Sequence, residues 1–152
     1  MQAAKEVAST NTHTQTKHRP RLRANEKAGL TALVRELRAH YGSDLQRVVL
    51  FGSKARGDFD KESDLDLLVV VRMGNGAYRQ YWSEIVDIVW RVELAYGIVT
   101  SLVIKDVADY DTMREHKLLL ARNIEQDGID LWTMPPSAPT SKPAAPKPAT
   151  IS

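Results

Sequence analysis

The chain has 152 residues, of which 43% are hydrophobic and 26% are charged, a size and composition that suit one compact domain with an apolar core. It contains no cysteine, which excludes disulfide bonds, thiolate zinc sites and a cysteine nucleophile. No apolar run approaches the roughly 20 residues that a membrane-spanning helix needs, and the first residues lack the apolar segment of a secretory signal. We therefore expect a cytoplasmic protein.

The charge is unevenly distributed along the chain. The whole chain carries a net charge of +2, and since residues 1–23 contribute +4 and residues 133–152 contribute +2, the segment between them carries −4. A basic arm could contact nucleic acid or an acidic partner. Short basic ends are more often solvated tails, however, so nucleic acid is the less favoured partner.

The composition of both ends is typical of disorder. The first 20 residues are rich in Thr, Ala, Gln and Asn without apolar periodicity, and six of the seven prolines lie from Pro135 to Pro148. We predict a basic N-terminal tail over residues 1–23, one domain over residues 24–132, and a Pro/Ala-rich tail over residues 133–152.

Within this domain the apolar spacing predicts three helices and four strands. In chain order they are a helix from Leu30 to Tyr41 stopped by Gly42, strands at Arg47–Phe51 and Leu65–Val71, a helix from Tyr78 to Val92 ended by Gly97, a strand at Ile98–Ile104, a helix from Met113 to Gln126 closed by Gly128, and an edge strand at Ile129–Trp132. The aromatic stripe Tyr78, Tyr81 and Trp82 is interpreted as core packing rather than as a platform for stacking bases.

Two aspartates mark the beginning of the second strand. Side chains alternate along a strand, so Asp64 and Asp66 point to the same side. Two carboxylates held together repel each other and are costly to desolvate unless a cation lies between them, and Mg²⁺ prefers such oxygen ligands. An isolated Asp-x-Asp is more often a solvated strand end or a helix cap, but its position after a glycine-serine turn favours a metal site.

That turn, Gly52-Ser53, ends the first strand. Glycine lets the backbone approach a ligand, serine can donate a hydrogen bond, and a helical turn through Arg56 would direct free amide groups at a phosphate. The P-loop of NTPases is excluded, because Asp58-Phe59 stands where that motif requires a lysine and a hydroxyl residue. Arg56 is suited either to a phosphate or to pairing with the acidic residues of the following loop.

The segment from Gly52 to Gly57 and the segment from Ser63 to Val69 together resemble the signature of the polymerase-beta-type nucleotidyltransferase superfamily, in particular its minimal nucleotidyltransferases. The resemblance extends more loosely over residues 25–132. It implies an α/β (α+β) fold in which helices back a small mixed β-sheet. It also implies a Mg²⁺-dependent transfer of a nucleoside monophosphate, with AMP from ATP the first choice, onto a hydroxyl acceptor.

The same resemblance assigns roles to residues and suggests a partner. Asp64 and Asp66 would be the catalytic metal ligands, Gly52 and Ser53 would hold the triphosphate, and Arg56 would support it. Many minimal nucleotidyltransferases are antitoxins of toxin-antitoxin systems that modify a helical HEPN-family partner, so a protein acceptor is the leading expectation. A small-molecule acceptor is less favoured because the chain has no second domain to build its pocket.

The sequence departs from the family pattern at the third carboxylate. Family members carry it on the next long strand, and in the run from Val99 to Ile104 the aligned residue is Ser101. Asp106 lies on the opposite face of that strand and is not expected to replace it, while Asp58, Asp60 and Asp87 remain open as substitutes. The alternative function is therefore a catalytically impaired module that binds a partner protein, with or without nucleotide.

Overall fold

The computed structural model describes residues 21–57 and 63–136. The N-terminal residues 1–20, the tail from residue 137 onward, and both Asp58 and Asp60 lie outside the described residues. The elements are, in chain order, helix α1 (Ala24–Tyr41), a 3-10 turn (Gly42–Asp44), strand β1 (Leu45–Phe51), helix α2 (Gly52–Arg56), strand β2 (Leu65–Val71), helix α3 (Tyr78–Tyr96), strand β3 (Thr100–Asp106), helix α4 (Val107–Glu115), helix α5 (Leu119–Asp127) and strand β4 (Ile129–Thr133).

The four strands form one mixed sheet in the order β3-β2-β1-β4. Strand β1 is antiparallel to both β2 and β4, and β2 is parallel to β3. The predicted α/β (α+β) architecture, a small mixed sheet backed by helices, is therefore confirmed. Strand β4 lies at the edge, as its short sequence indicated, and it ends at Thr133, one residue beyond the predicted domain.

Helices cover both faces of the sheet. Residues such as Val48, Leu67 and Val69 face α1 and α3 and form the larger core. Their neighbours Val49 and Leu68 face the other side and pack with residues of α4 and α5. Because β2 is buried on both faces, its sequence is an uninterrupted aliphatic run rather than an alternating one. Within the described residues, no helix is long and apolar enough to cross a membrane.

The predicted helix from Met113 to Gln126 is wrong: the structure has two helices there, α4 and α5. Between them Lys117 adopts a left-handed conformation with φ of 53°. The amide of Leu118 then donates to the carbonyl of Met113 at 3.0 Å, the pattern of a Schellman helix end. This position usually carries glycine, and the lysine gave no sequence signal for a helix end.

The aromatic stripe on α3 is only partly in the core. Tyr81 is partly buried and stacks on Tyr41, with ring centroids 5.5 Å apart. Tyr78 and Trp82 are 47% and 48% exposed, so the core interpretation is wrong for these two residues. The reason is that the buried residues of α3 lie between Ile85 and Val92, and both aromatic residues precede that part of the helix.

A buried ion pair joins the short helix α2 to the beginning of α1. The Lys54 side chain is 1% exposed, and its Nζ lies 2.9 Å from Oε2 of Glu26. The other oxygen of Glu26 accepts a hydrogen bond from the backbone amide of Arg23 at 2.9 Å. Burial raises the pKa of Glu26, but the Arg23 amide and the Lys54 ammonium together outweigh it and hold the pKa below its usual value. The pair therefore fixes α2 against α1.

We expect Lys54→Met to lower the free energy of unfolding by about 3–5 kcal/mol, because it leaves the Glu26 carboxylate buried without its cation. In the double variant Glu26→Gln/Lys54→Met no charge is left uncompensated, so part of that loss is recovered. Urea unfolding of both single variants and the double variant at neutral pH measures the coupling between the residues.

Lys27→Met is the matched control, since Lys27 is an exposed lysine on the same helix as Glu26. It is expected to change the free energy of unfolding by less than about 0.5 kcal/mol. Two results would show that the ion pair does not hold α2 in place. In the first, the double variant loses as much free energy of unfolding as the two single variants together. In the second, the Lys54→Met protein is as stable as the control.

Candidate active site

The glycine-serine turn lies directly against one of the two aspartates. Strand β1 pairs with β2 so that Phe51 is opposite Asp66, and Gly52 follows at once. Gly52 has a φ of +77°, and a Cβ atom placed on it would overlap Oδ2 of Asp66 and lie 2.9 Å from its Cγ. Only glycine therefore fits, and its absent side chain brings the backbone of the turn into contact with the carboxylate.

Strand β3 flanks Asp66 on its other side. The parallel register of β2 and β3 pairs Asp66 with Ser101, so both side chains lie on the same face of the sheet. The Ser101 hydroxyl is hydrogen-bonded to the Asp66 carboxylate. The residue aligned with the expected third carboxylate is thus the direct neighbour of Asp66, but it contributes a hydroxyl group in place of a charge.

The electrostatics of Asp66 are those of a crowded carboxylate. Burial raises the pKa of Asp66 above its usual value, and the negative charge of Asp64 raises it further. The positive charge of Arg56 and the hydrogen bond from Ser101 act in the opposite direction but do not compensate fully. The charge of Asp64 thus disfavours the charged form of Asp66, and a bound cation would relieve this repulsion.

Helix α2 presents the start of its first turn beside these carboxylates. It begins at Gly52, and its N-cap residue Phe51 has no side-chain capping hydrogen bond. The first amide groups of any helix lack partners within the helix, so they are available to an anionic ligand. Ser53 lies half-buried in this turn, and Arg56, at the end of the helix, is close enough for its charge to act on Asp66.

Asp106 and Asp87 do not join this group, whereas Asp58 and Asp60, the other two candidate substitutes for the third carboxylate, lie outside the described residues. Asp106 ends β3 at the level of Val71, roughly 17 Å along the strand from Ser101. Its carboxylate accepts hydrogen bonds from the amides of Met73 at 2.8 Å and Ala108 at 3.1 Å, and the second of these caps α4. Asp87 is exposed on α3. The described residues contain no cluster of three or more acidic or histidine side chains that could hold a metal.

These residues fit a divalent ion that arrives with its own oxygen ligands. Asp64 and Asp66 supply two carboxylates and Ser101 a neutral oxygen, which is less than an all-protein Mg²⁺ site requires. Mg²⁺ is commonly bound by one or two carboxylates together with phosphate oxygens of the substrate. The uncapped start of α2 beside Asp66 is a suitable position for those phosphates. The arrangement is therefore compatible with a metal-bound triphosphate.

The position of Lys54 differs from what its place in the sequence suggests. A lysine between a glycine-serine turn and Arg56 suggests a phosphate contact, yet its ammonium group is buried and pairs with Glu26. Glu26 is 28 residues earlier in the chain, so no local pattern could have identified the pair. The sequence predicts that Gly52 binds a ligand, and its close contact with Asp66 adds a second reason for glycine at this position.

Comparisons with known proteins agree on a family. The chain matches the family model of the nucleotidyltransferase domain over residues 30–131. It is 30% identical over 108 residues to "Putative protein adenylyltransferase MJ0604" of Methanocaldococcus jannaschii, covering 71% of this chain and 99% of the relative. It is 46% identical over 61 residues to "Putative protein adenylyltransferase MJ0141" of the same organism, covering 40% of this chain and 59% of that relative.

A solved structure described as "Crystal structure of the toxin-antitoxin with AMP-PNP" is 23% identical and has a TM-score of 0.46, covering 68% of this chain and 73% of its own. The residues matched by the family model, 30–131, contain the complete candidate site from Gly52 to Ser101.

We expect Gly52→Ala to lower the free energy of unfolding by about 1–3 kcal/mol, because the added methyl group overlaps Asp66 and the backbone keeps a positive φ. Gly74→Ala is the matched control, since a Cβ atom there meets nothing within 4 Å. Urea unfolding measures both variants. Equal stability of the two would contradict the close packing of Gly52 on Asp66.

Proposed function

Because this chain belongs to the nucleotidyltransferase domain family, we propose that it transfers AMP from ATP, with Mg²⁺, onto a hydroxyl group of a partner protein. The observation that carries the proposal is the contact of Gly52 with Asp66, since it joins a turn suited to phosphate with a carboxylate suited to a metal. In the proposed reaction, the acceptor oxygen bonds to the α-phosphorus while the bond to pyrophosphate breaks and the hydroxyl proton is lost.

Each predicted site residue has a role in this proposal. Asp64 and Asp66 would hold the metal, Gly52 and Ser53 would hold the triphosphate, and Arg56 would neutralise phosphate charge. Bound Mg²⁺ would supply charge neutralisation at the phosphates and activation of the attacking hydroxyl. The chain's own contribution is to orient the α-phosphate between the start of α2 and the carboxylates of β2, because phosphoryl-transfer catalysis depends on positioning and electrostatics.

The names of the curated relatives support AMP as the transferred group and a protein as the acceptor. Both are named putative protein adenylyltransferases, and the first is covered over 99% of its length. The resemblance in the motif further predicts that the partner is a helical HEPN-family toxin and that this chain is the antitoxin.

A second candidate function follows from Ser101. The family pattern has a carboxylate at the position next to Asp66, and this chain has the Ser101 hydroxyl there. The described residues contain no cluster of three metal-binding acids. The site would then bind a metal-nucleotide complex without efficient transfer. The protein would act as a binding module for its partner, with nucleotide as a bound ligand.

We expect α-phosphate-labelled ATP and Mg²⁺ to label a protein acceptor in an extract of the native cell, and the Asp64→Asn/Asp66→Asn variant to lose this labelling by at least about 100-fold. The reason is that the variant lacks the two carboxylates that are proposed to bind the metal. Asp87→Asn is the control, because this exposed aspartate lies outside the site. If the unmodified chain labels no acceptor in the extract with either Mg²⁺ or Mn²⁺, the result would favour the binding module.

We expect Ser101→Asp to increase the rate of transfer by about tenfold or more, because it adds the missing charge beside Asp66. Ser101→Asn has nearly the same size without the charge and is not expected to show the increase. Initial rates at saturating ATP compare the two variants with the unmodified chain. If the aspartate variant is no faster than the asparagine variant, the absent third carboxylate does not limit catalysis.

A further inference from the structure

A groove lies between α1 and β4, on the face of the sheet that is opposite to Asp64 and Asp66. Its volume is about 1030 Å³, and its lining runs along α1 from Lys27 to the glycine and serine that follow the helix. This length of helix corresponds to roughly 20 Å. The apolar part of the lining comes from α1, from β4 and from the residue that follows β4, and consists of Leu30, Val34, Ala39, Leu131, Trp132 and Met134.

The charged residues of the groove are all basic. Lys27, Arg35 and Arg38 line it, and no aspartate or glutamate does. None of the three forms an ion pair with a carboxylate of residues 21–57 or 63–136. The Arg38 guanidinium lies over the Trp132 ring at 4.0 Å from its centroid, so the apolar and basic parts of the lining are in direct contact.

The shape and charge of the groove select the class of occupant. An elongated apolar floor with cations along one helix matches an amphipathic segment that has apolar residues on one side and carboxylates on the other. The chain's own terminal segments do not match, because residues 1–20 and 137–152 carry five lysines and arginines against one glutamate. The groove would repel these two segments, which favours an occupant on another molecule.

We propose that this groove is a docking site for an acidic amphipathic segment of a partner protein. A nucleic acid strand shares the negative charge, but it would leave the half-buried apolar floor of Val34, Leu131 and Met134 uncovered. The peptide is therefore the better match, since its apolar side chains bury that floor. The proposal goes beyond AMP transfer and does not require it, because the groove and the candidate active site are on opposite faces of the sheet.

The test uses the three tryptophans of the chain as built-in reporters. Trp132 lines the groove, whereas Trp82 and Trp90 are exposed on α3. The full chain, labelled with ¹⁵N, is titrated without ATP with a synthetic peptide of about 14 residues that carries leucine on one helical face and glutamate on the other. We expect the indole signal of Trp132 to shift and those of Trp82 and Trp90 to remain in place, with Trp→Phe variants for assignment.

Charge reversal supplies the matched control. Lys27→Glu/Arg35→Glu is expected to weaken peptide binding by about tenfold or more. Arg79→Glu/Arg122→Glu changes the net charge equally at exposed positions outside the groove, and we expect it to leave peptide binding unchanged. The same peptide with lysine in place of glutamate is expected not to bind. Because these substitutions are at the surface, near-UV circular dichroism should confirm an unchanged fold.

Three results would overturn the proposal. The first is a failure of the peptide titration, in which the Trp132 indole signal does not shift or the two charge-reversed variants weaken binding equally. The second is tighter binding of a single-stranded oligonucleotide than of the acidic peptide at the same salt concentration, which would assign the groove to nucleic acid. The third is self-association of the chain that Lys27→Glu/Arg35→Glu abolishes, which would assign the groove to a second copy.

Discussion

The position of Asp66 within the sheet is the constraint on which the candidate site depends. Strand β2 is held on both sides: β1 places Phe51 opposite Asp66, and β3 places Ser101 opposite it on the other edge. A shift of one residue in either pairing would turn the Asp66 side chain to the other face of the sheet, toward α1 and α3. Backbone register, more than any side-chain contact, therefore brings the carboxylate, the glycine turn and the Ser101 hydroxyl together.

Helix α2 is too short to be stable by itself, and its position depends on two contacts of different kinds. At its beginning, Gly52 is in steric contact with Asp66. In its middle, Lys54 is buried in an ion pair with Glu26. A buried ion pair contributes little net stability, because desolvation offsets most of the attraction, but a partner left alone is costly. The main effect of the pair is therefore on the specificity of the fold, because arrangements in which α2 is separated from α1 would leave both charges without a partner.

How much could be predicted from sequence depended on the distance between interacting residues. Asp64, Asp66 and the turn at Gly52 lie within one short segment, and their spacing alone indicated a shared face and a neighbouring turn. The pairing of Lys54 with Glu26 crosses from α1 to α2, and no local periodicity contains it. The end of α4 was missed because Lys117 adopts the backbone conformation that glycine usually takes. Trp82 has the same helical spacing as the buried residues of α3, so the apolar period alone could not show that burial begins only at Ile85.

Ser101 lies on the edge strand β3, where water could compete with the acceptor hydroxyl. Asp64 and Ser101 are both exposed, so bulk water can reach this side of the candidate site. Water is itself a hydroxyl nucleophile, and enzymes that activate phosphates suppress hydrolysis by excluding it. A small acceptor would leave this edge open, whereas a protein surface laid across β3 would cover it. The acceptor would then complete the enclosure of the site, and nucleotide would be spared from wasteful hydrolysis until the acceptor is bound.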